Sequence, residues 1–411
     1  MHIKWDEDIY SAYHSAYLWQ TMPADRISIK QLLDLIPEEE LDQLSAETRV
    51  NYQVKTLYGK SMFYLLLYGL VTCEKTSLRG LEDTFNSNRF KVLFNLDTSA
   101  RTKFNSISDR LATMDLSFFE KAYGRIYEIF SRAYSEKESL AYNIVRVDST
   151  MVAETANKLE AGMSVGCRKN GRKQAKYTIC MEDMFPCSVE VFTAQSELSE
   201  DKTIPKAILK IIDPDPKTVF VFDRGVNSRQ AFAEIDGKGC RFVTRIRTSA
   251  KYKDIGPVEL KMGEAKINNL VIKEDRTVQL YSKNRILPNK FRLIKAIAQN
   301  GSHVWFLSNL FDCSISDIIS IYRQRWQIEV FFRFIKQELN FSHFMSTNIN
   351  GIKIILYMTL ILSMLIQVYK KYNKIGFKTA KRRMALEIDE LITIQIVIAC
   401  GGNPNLLIKG P

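Results

Sequence analysis

The chain of 411 residues has little of what histidine-metal, zinc or disulfide sites require. It contains four histidines, His2, His14, His303 and His343, which do not have the spacing of metal ligands. Its seven cysteines are widely spaced and include no CxxC pair, which argues against a zinc site and against a disulfide framework. We therefore expect neither Ser-His nor histidine-metal chemistry, and a reducing cytoplasm is the expected environment.

The sequence also has no hydrophobic segment that clearly indicates export or membrane insertion. The amino terminus, MHIKWDEDIY, is polar and acidic, unlike a signal peptide. The longest apolar run, residues 354–366, is shorter than the ~20 residues that a membrane span needs. We expect a buried core helix there and no membrane partner, although the lysines that flank the run leave a membrane segment as the alternative.

Acidic residues are outnumbered by basic ones. The chain has 58 Lys and Arg against 46 Asp and Glu, a formal net charge of +12. This excess favours a polyanionic partner, of which nucleic acid is the commonest. With 46% hydrophobic residues, the chain is long enough to build two or three packed domains.

Residues 321–339, IYRQRWQIEVFFRFIKQEL, predict an amphipathic helix with an unusual polar face. At about 100° per residue, positions spaced 0, 3, 7 and 14 apart fall within an arc of roughly 60°. These positions are Tyr322, Arg325, Glu329 and Lys336, with Trp326 and Arg333 beside them. Apolar residues occupy the opposite face. The polar face is either a solvated ladder of salt bridges or a carboxylate presented among cations and aromatic rings.

Two aspartates follow strand-like runs. Residues 142–150, YNIVRVDST, predict a strand that ends at Asp148, and residues 217–225, KTVFVFDRG, predict one that ends at Asp223. Such residues lie at the carboxyl edge of a sheet, where open α/β folds bind ligands, although each alone could be a helix N-cap. With Glu329 they form a set of three carboxylates. Mg²⁺ prefers oxygen ligands, and two such ions can stabilise a phosphoryl displacement.

These motifs resemble those of a known enzyme family. VDST around Asp148, FDRG around Asp223 and the Tyr-x2-Arg-x3-Glu-x6-Lys signature around Glu329 are similar to the DDE transposases of bacterial insertion sequences, specifically the insertion-sequence-four branch with its YREK signature. The resemblance covers about residues 141–345. It implies that the three carboxylates are catalytic and hold two Mg²⁺ ions, with Mn²⁺ as a substitute.

The same resemblance implies roles in DNA binding. Tyr322, Arg325 and Lys336 would hold phosphates of the transposon end, with Trp326 and Arg333 as additions that the family signature does not include. Trp305, in VWFLSN, matches a tryptophan that stacks on a flipped base in similar enzymes, although a core position on a strand is the default for such a residue.

The expected fold is α/β, with a ribonuclease H-like core at residues 141–345. A hairpin of residues 175–183 and 186–194, a helix near 200–212 and then another strand give the element order of that core. A β-rich insertion at 246–302 precedes the last catalytic helix.

Residues outside this core are expected to be helical. Residues 1–140 predict a DNA-binding domain, in which 77–85 and 99–114 resemble a helix-turn-helix, with a plain helical bundle as the alternative. Residues 346–411 predict a C-terminal helical region with a basic stretch at 369–383.

The sequence therefore predicts a transposase that cleaves DNA at transposon ends and joins it to target DNA. Its expected partners are double-stranded DNA, both terminal repeats and target, and a second copy of the chain in the DNA complex. We expect it in the bacterial cytoplasm, associated with the nucleoid. Two alternatives stay open: a ribonuclease H-like nuclease without strand transfer, and a catalytically dormant DNA-binding protein derived from a transposase.

Overall fold

The chain forms two compact units in a computed structural model. The helical unit combines residues 1–134 with 335–411, and the sheet unit comprises residues 135–334. The residues that the structure describes are 26–134, 142–153, 159–164, 173–211, 214–258, 266–339, 341 and 344–404.

The helical unit consists of helices from both ends of the chain. In the first segment these are α1 (Ile29–Asp34), α2 (Glu38–Glu47), α3 (Gly59–Thr72), α4 (Leu78–Asn86), α5 (Asn88–Leu93), α6 (Phe104–Thr113) and α7 (Leu116–Tyr134). In the last segment they are α12 (Ile349–Tyr372) and α13 (Phe377–Ala399).

Helix α12 is the centre of this unit. It packs against α3, α6, α7 and α13, and most of its side chains are buried. Among the described residues it is the one helix long and apolar enough to cross a membrane, but 72% of its most apolar part lies inside the protein. Most residues of the run 354–366 are buried, so the predicted core helix is confirmed. A core helix of this kind can be as long and as apolar as a membrane span.

The sequence assigned the two ends of the chain to separate regions, but they pack together. Asn350, in α12, donates hydrogen bonds to the carbonyls of Leu111 and Met114 at 3.0 and 2.9 Å. Glu387, in α13, accepts a hydrogen bond from the amide of Ile29 at 2.7 Å. Pairings over such sequence distances leave no local pattern, so the sequence alone did not reveal them.

The sheet unit contains a large mixed sheet and the helices that cover it. Its strands are β1 (Asn143–Ala153), β2 (Met163–Ser164), β3 (Lys173–Glu182), β4 (Phe185–Phe192), β5 (Thr218–Val221), β6 (Arg241–Ile246), β7 (Tyr252–Pro257), β8 (Lys266–Ile267), β9 (Leu270–Ser282), β10 (Arg285–Ile286), β11 (Phe291–Ala298) and β12 (His303–Ser308). Its helices are α8 (Glu200–Leu209), α9 (Arg229–Gly237) and α10 (Ile315–Arg323). Helix α11 (Trp326–Glu338) begins in this unit and ends in the helical unit.

The core of the sheet has the predicted element order. β1, β3 and β4 form an antiparallel meander, and β5 and β6 then add in parallel on the other side of β1. Helix α8 connects β4 to β5, and α9 connects β5 to β6. The predicted hairpin, helix and following strand are therefore present, and the prediction of an α/β fold is confirmed; the sheet is mixed.

Both faces of the central strands are buried, as parallel strands require. In β5, Val219 faces one cluster of apolar residues together with the isoleucines of α10. Phe220 faces a second cluster, which contains Ile204 from α8 and Phe232 from α9. Alternation along the strand thus places α10 on one face of the sheet and α8 with α9 on the other.

The β-rich segment predicted at 246–302 is present, and it extends the central sheet. β12 pairs antiparallel with β6, β11 with β12, β9 with β11, and β7 with β9. Its strands therefore continue the hydrogen-bond ladder of the core across one edge of the sheet.

The single helix predicted across residues 321–339 is wrong. α10 ends at Arg323 and α11 begins at Trp326, so Tyr322 and Glu329 lie on different helices with Arg325 between them. At the break the amide of Arg325 bonds to the carbonyl of Tyr322, three residues back, at 3.1 Å.

Arg146, from β1, stabilises this break. Its fully buried side chain donates to the carbonyl of Gln324 at 3.2 Å and to the Gln324 side chain at 2.5 Å. It also donates to the carbonyls of Ile144 and Asp183 at 3.4 and 3.1 Å. A buried arginine thus connects the first strand to the turn that carries Arg325.

Replacing Arg146 by methionine should lower the free energy of unfolding by roughly 2–4 kcal/mol, because buried carbonyls lose their donor while the apolar stem is kept. Urea denaturation of the full chain measures the change. The matched control is Arg285→Met, at an exposed arginine on β10, which should change stability by less than about 0.5 kcal/mol. Equal stability of the two variants would show that the Arg146 hydrogen bonds contribute nothing measurable.

Candidate active site

Asp148 and Asp223 lie side by side on neighbouring chain segments. Arg146 and Val221 are the last pair of residues in the parallel ladder between β1 and β5. Asp148 and Asp223 each follow two residues later in the chain. The prediction that β1 ends at Asp148 is wrong, because antiparallel pairing with β3 extends it to Ala153. The predicted strand before Asp223 ends slightly earlier, at Val221. The two carboxylates still meet where the parallel part of the sheet stops.

Backbone and hydroxyl groups position both aspartates. The amide of Ser149 donates to Oδ1 of Asp148 at 2.7 Å, and the amide of Gly225 donates to Oδ1 of Asp223 at 2.7 Å. The buried hydroxyl of Thr244, on β6, lies 3.0 Å from the carbonyl oxygen of Asp223 and donates to the end of the strand. These contacts leave little freedom for the carboxylates.

The two carboxylates repel each other in a poorly hydrated environment. The pKa of Asp148 is raised to about 7: burial is the largest cause and the charges of Asp223 and Glu200 add to it, while the Ser149 amide and Arg325 oppose the shift. Proximity of like charges at low hydration is the arrangement that a bound cation relieves.

Arg325 lies between Asp148 and Glu329. One terminal nitrogen donates to Oε1 of Glu329 at 2.6 Å, and the other lies 4.0 Å from Oδ2 of Asp148. The Arg325 side chain is 14% exposed, and its Nε has no hydrogen-bond partner among the described residues. The structure thus brings Arg325 and Glu329 together, as their spacing suggested, and places Arg325 beside Asp148. Arg325 lies in the turn between α10 and α11 and not within a single helix.

The aromatic ring of Tyr322 packs against the guanidinium group of Arg325. Its ring lies 5.9 Å from the guanidinium carbon of Arg325 and contacts Phe306 edge to face at 5.3 Å between ring centroids. Burial raises the pKa of the Tyr322 hydroxyl, and the charges of Arg325 and Arg245 partly offset that effect. The Tyr322 ring is thus packed between Arg325 and Phe306.

Sequence reasoning missed Glu200, the first residue of α8. Its carboxylate lies against Asp223, and a Cβ on Gly225 would come within 1.4 Å of Oε2 of Glu200. A larger residue at position 225 would therefore displace the Glu200 carboxylate from its place beside Asp223. Burial and then the charge of Asp223 raise the pKa of Glu200, and Lys176 lowers it.

Lys176 is a second residue near the site. It is buried on β3, donates to the carbonyl of Leu198, and interacts with the charges of Glu200 and Asp148. It belongs to the basic run 167–176 of the sequence, of which residues 167–172 lie outside the described residues.

The donor chemistry of the site fits a hard divalent cation. Asp148, Asp223 and Glu200 offer carboxylate oxygens, which such ions prefer, and their mutual repulsion is uncompensated except by Arg325 and Lys176. Among the described residues, no group of three His, Cys, Asp or Glu side chains is already arranged to hold a metal ion. Glu329 is instead paired with Arg325.

The other residues predicted on this segment follow along α11. Trp326 is 54% exposed at the start of the helix, and Arg333 is also exposed. Lys336 is half-buried and belongs to the helical unit. The predicted apolar face is confirmed, since Ile328, together with the other apolar residues of that face, is buried.

Trp305 is half-buried on β12. Its ring contacts Tyr252 edge to face at 6.0 Å between centroids, and Nζ of Lys295 lies 5.0 Å from the ring centroid. The ring also packs against the apolar cluster that contains Phe220. These contacts support it from within the protein, and its stacking on a base stays a prediction.

The predicted helix-turn-helix contains an additional helix. α5 lies between α4 and α6, and Arg110 in α6 donates to the carbonyls of Val50 and Leu57. Arg110 therefore stabilises the helical unit. The basic residues Arg101 and Lys103 of this segment line an open cleft with Lys55.

Comparisons with known proteins identify a family. Residues 140–365, more than half of the chain, match the family model described as "Transposase DDE domain". The chain is 28% identical over 157 residues to "Putative transposase y4zB" of Sinorhizobium fredii, a match that covers 38% of this chain and 44% of that protein. It is 24% identical over 292 residues to "Putative transposase for insertion sequence element IS4SA" of Synechocystis sp., covering 67% and 78% respectively.

Other similarities are more limited in extent. "Probable transposase for insertion sequence element IS5377" of Geobacillus stearothermophilus is 35% identical over 81 residues, 20% of this chain and 22% of that protein. The matches thus span less than half of two of these relatives. A solved piggyBac transposase synaptic complex with hairpin DNA has a TM-score of 0.48 and 9% identity over 92% of this chain and 83% of that chain, and a likeness at that score supports no conclusion.

The raised pKa of Asp148 makes stability depend on pH. The folded-state pKa of about 7 exceeds the ordinary value of 3.8, so the native protein keeps a proton that the unfolded chain has released. The resulting stabilisation is complete below about pH 4 and is lost as the pH rises through 7. Without divalent cations, wild-type protein should lose on the order of 3 kcal/mol over this range relative to Asp148→Asn. Urea denaturation at several pH values measures this, and parallel curves for the two proteins would contradict it.

Proposed function

The chain belongs to the family of proteins with a transposase DDE domain, and we propose that it cleaves DNA at the ends of an insertion sequence and joins them to target DNA. The family supports a transposase of the polynucleotidyl-transferase type that uses divalent metal ions. The match to the IS4SA relative is consistent with the insertion-sequence-four branch.

One observation carries the proposal at the level of the site. Asp148 and Asp223 lie together where parallel strands end, and the turn between α10 and α11 brings Arg325 and Glu329 to Asp148. A charged set of this kind needs a cationic partner, and phosphoryl transfer needs one as well.

We propose that one set of residues binds the metal ions and another set binds the DNA phosphates. Asp148, Asp223 and Glu329 would hold the divalent cations, which we propose are two Mg²⁺ ions, with Mn²⁺ as a substitute. Bound metal supplies charge stabilisation for the attacking and leaving oxygens of a phosphodiester.

Arg325 has a double role in this proposal. In the structure it pairs with Glu329 and faces Asp148, so it offsets the charge of both carboxylates. Its planar guanidinium is also suited to a phosphate oxygen pair. Tyr322 would hold the Arg325 side chain in place, while Arg333, Trp326 and Lys336 would contact the transposon end.

DNA partners follow from the same proposal. The sheet unit would bind the terminal repeat at the cleavage point, and the helical unit would contact DNA through the cleft with Lys55, Arg101 and Lys103. The positive charges of these three side chains suit contacts with the phosphate backbone, which do not depend on base sequence. A homodimer would hold two ends, and the bacterial cytoplasm is where the element's DNA lies.

Replacing Glu329 by glutamine should separate chemistry from binding. The change keeps the shape of the side chain but removes a negative charge, so cleavage should fall at least about 100-fold while DNA binding is unchanged or tighter. The assay follows nicking of a labelled transposon end with Mg²⁺, and gel shift measures binding.

Lys336→Ala is the complementary variant, because it should weaken binding and lower the salt slope of the affinity by about one. Wild-type cleavage by Glu329→Gln would overturn the catalytic role of Glu329. Joining of cleaved ends to a supercoiled plasmid distinguishes a transposase from a nuclease, which would release ends without joining them.

Trp305→Ala tests base stacking against a structural role. If the ring stacks on an extruded base, the first nick should be almost unaffected while later steps slow by an amount equivalent to ~1–3 kcal/mol. A quantitative time course of nicked and fully cleaved products measures this. Tyr252→Ala, which removes the neighbouring ring, is the control for packing. A loss of folding in Trp305→Ala would contradict the stacking role.

A further inference from the structure

A basic cleft opens beside Asp223 in the sheet unit. It has a volume of about 630 Å³, and its wall combines the turn after β5 with the end of β6 and the start of β12. The cations on its wall are Arg224 from the first segment and Arg245 and Arg247 from the second, and the side chain of His303 lines it from the third. Arg224 belongs to the FDRG motif around Asp223, whereas Arg245, Arg247 and His303 lie outside the motifs that carry the family resemblance.

The arginines of this cleft differ from others in the same unit. Arg241, Arg276 and Arg292 each pair with an aspartate at 2.5–2.7 Å. By contrast, Arg224, Arg245 and Arg247 form no ion pair with an Asp or Glu among the described residues.

A further arginine adds to this charge. Burial lowers the pKa of Arg229, at the start of α9; the charge of Asp201 opposes this shift, and the charge of Arg247 adds to it. The cleft arginines Arg224, Arg245 and Arg247, which are in no ion pair among the described residues, repel one another, so the arrangement is stabilised when an anion enters. Phosphate oxygens match the planar donors of arginine.

The surroundings of the cleft favour a nucleic acid strand over a small anion. Its volume is that of a pocket for a ligand larger than one phosphate, and it is open to solvent. Thr248, Ser249 and Asn227 add neutral polar groups of the kind that contact phosphate and sugar. His303 lies two residues before Trp305 on β12, so both side chains face the same side of the sheet.

A positively charged groove beside aromatic rings is typical of sites for unpaired strands, where backbone contacts and base stacking act together. We propose that this cleft binds the backbone of an unpaired DNA strand that runs past Asp223, with Arg224, Arg245 and Arg247 contacting successive phosphates independently of sequence. The inference rests on the proposed function, because it takes Asp223 as part of the cleavage site.

Binding of labelled (dT)12 to the full chain, measured by fluorescence anisotropy without divalent cations, tests this. Arg247→Gln should weaken binding several-fold at low salt and lower the slope of log affinity against log salt by about 0.7, the value for one contact to a single strand. Arg224→Gln should do the same. The matched control is Arg285→Gln, an exposed arginine of β10 outside the cleft, which should leave both quantities unchanged.

A 12-base-pair duplex in the same assay distinguishes an unpaired strand from double-stranded DNA. The cleft variants should lose more affinity for (dT)12 than for the duplex. Equal losses for both DNAs, or no loss relative to Arg285→Gln, would overturn the inference.

Asp148→Asn, assayed for cleavage of a transposon end with Mg²⁺, separates this outcome from failure of the proposed function. Loss of cleavage in Asp148→Asn with unaltered (dT)12 binding by Arg247→Gln would refute the cleft alone. Full cleavage by Asp148→Asn would refute the function on which the cleft depends.

Discussion

Electrostatic repulsion between Asp148 and Asp223 is the constraint on which the site depends. Parallel pairing of β1 with β5 brings the two carboxylates together, and burial deprives Asp148 of much of its hydration. Glu200 adds a further acid, and Arg325 and Lys176 are the cations that offset the repulsion. Because the sheet is stabilised by apolar clusters on both faces, it can keep these charges close at a cost in stability.

The sequence predicted the features that have a local pattern. Short runs of β-branched and other apolar residues identified the strands around Asp148 and Asp223, and the hairpin and α8 followed in the expected order. The element boundaries were less accurate, because long-range pairing determines them. β1 continues beyond Asp148 since β3 pairs with it there, and the helix around Arg325 is interrupted where Arg146 binds the carbonyl of Gln324. The sequence contained both partners, but nothing in the spacing connects residues so far apart.

Residues that act through space rather than through a motif were also missed. Glu200 is an acidic residue in the first turn of a helix and Gly225 follows a strand, and no motif links them, yet the Glu200 carboxylate lies against the Cα of Gly225. Arg245 and Arg247 belong to a segment outside the family motifs, and the cleft that they share with Arg224 of the FDRG motif depends on the order of β5, β6 and β12 in the sheet. The YREK signature was detectable because its four residues lie within one short segment.

The account requires that a divalent cation bind at Asp148 and Asp223, and crystals soaked with Mn²⁺ test this most directly. Anomalous scattering should show manganese bound to both carboxylates, and the pair between Arg325 and Glu329 should open as Glu329 turns to the metal. Absence of manganese at these aspartates, in crystals where their side chains are ordered and accessible to solvent, would contradict the account.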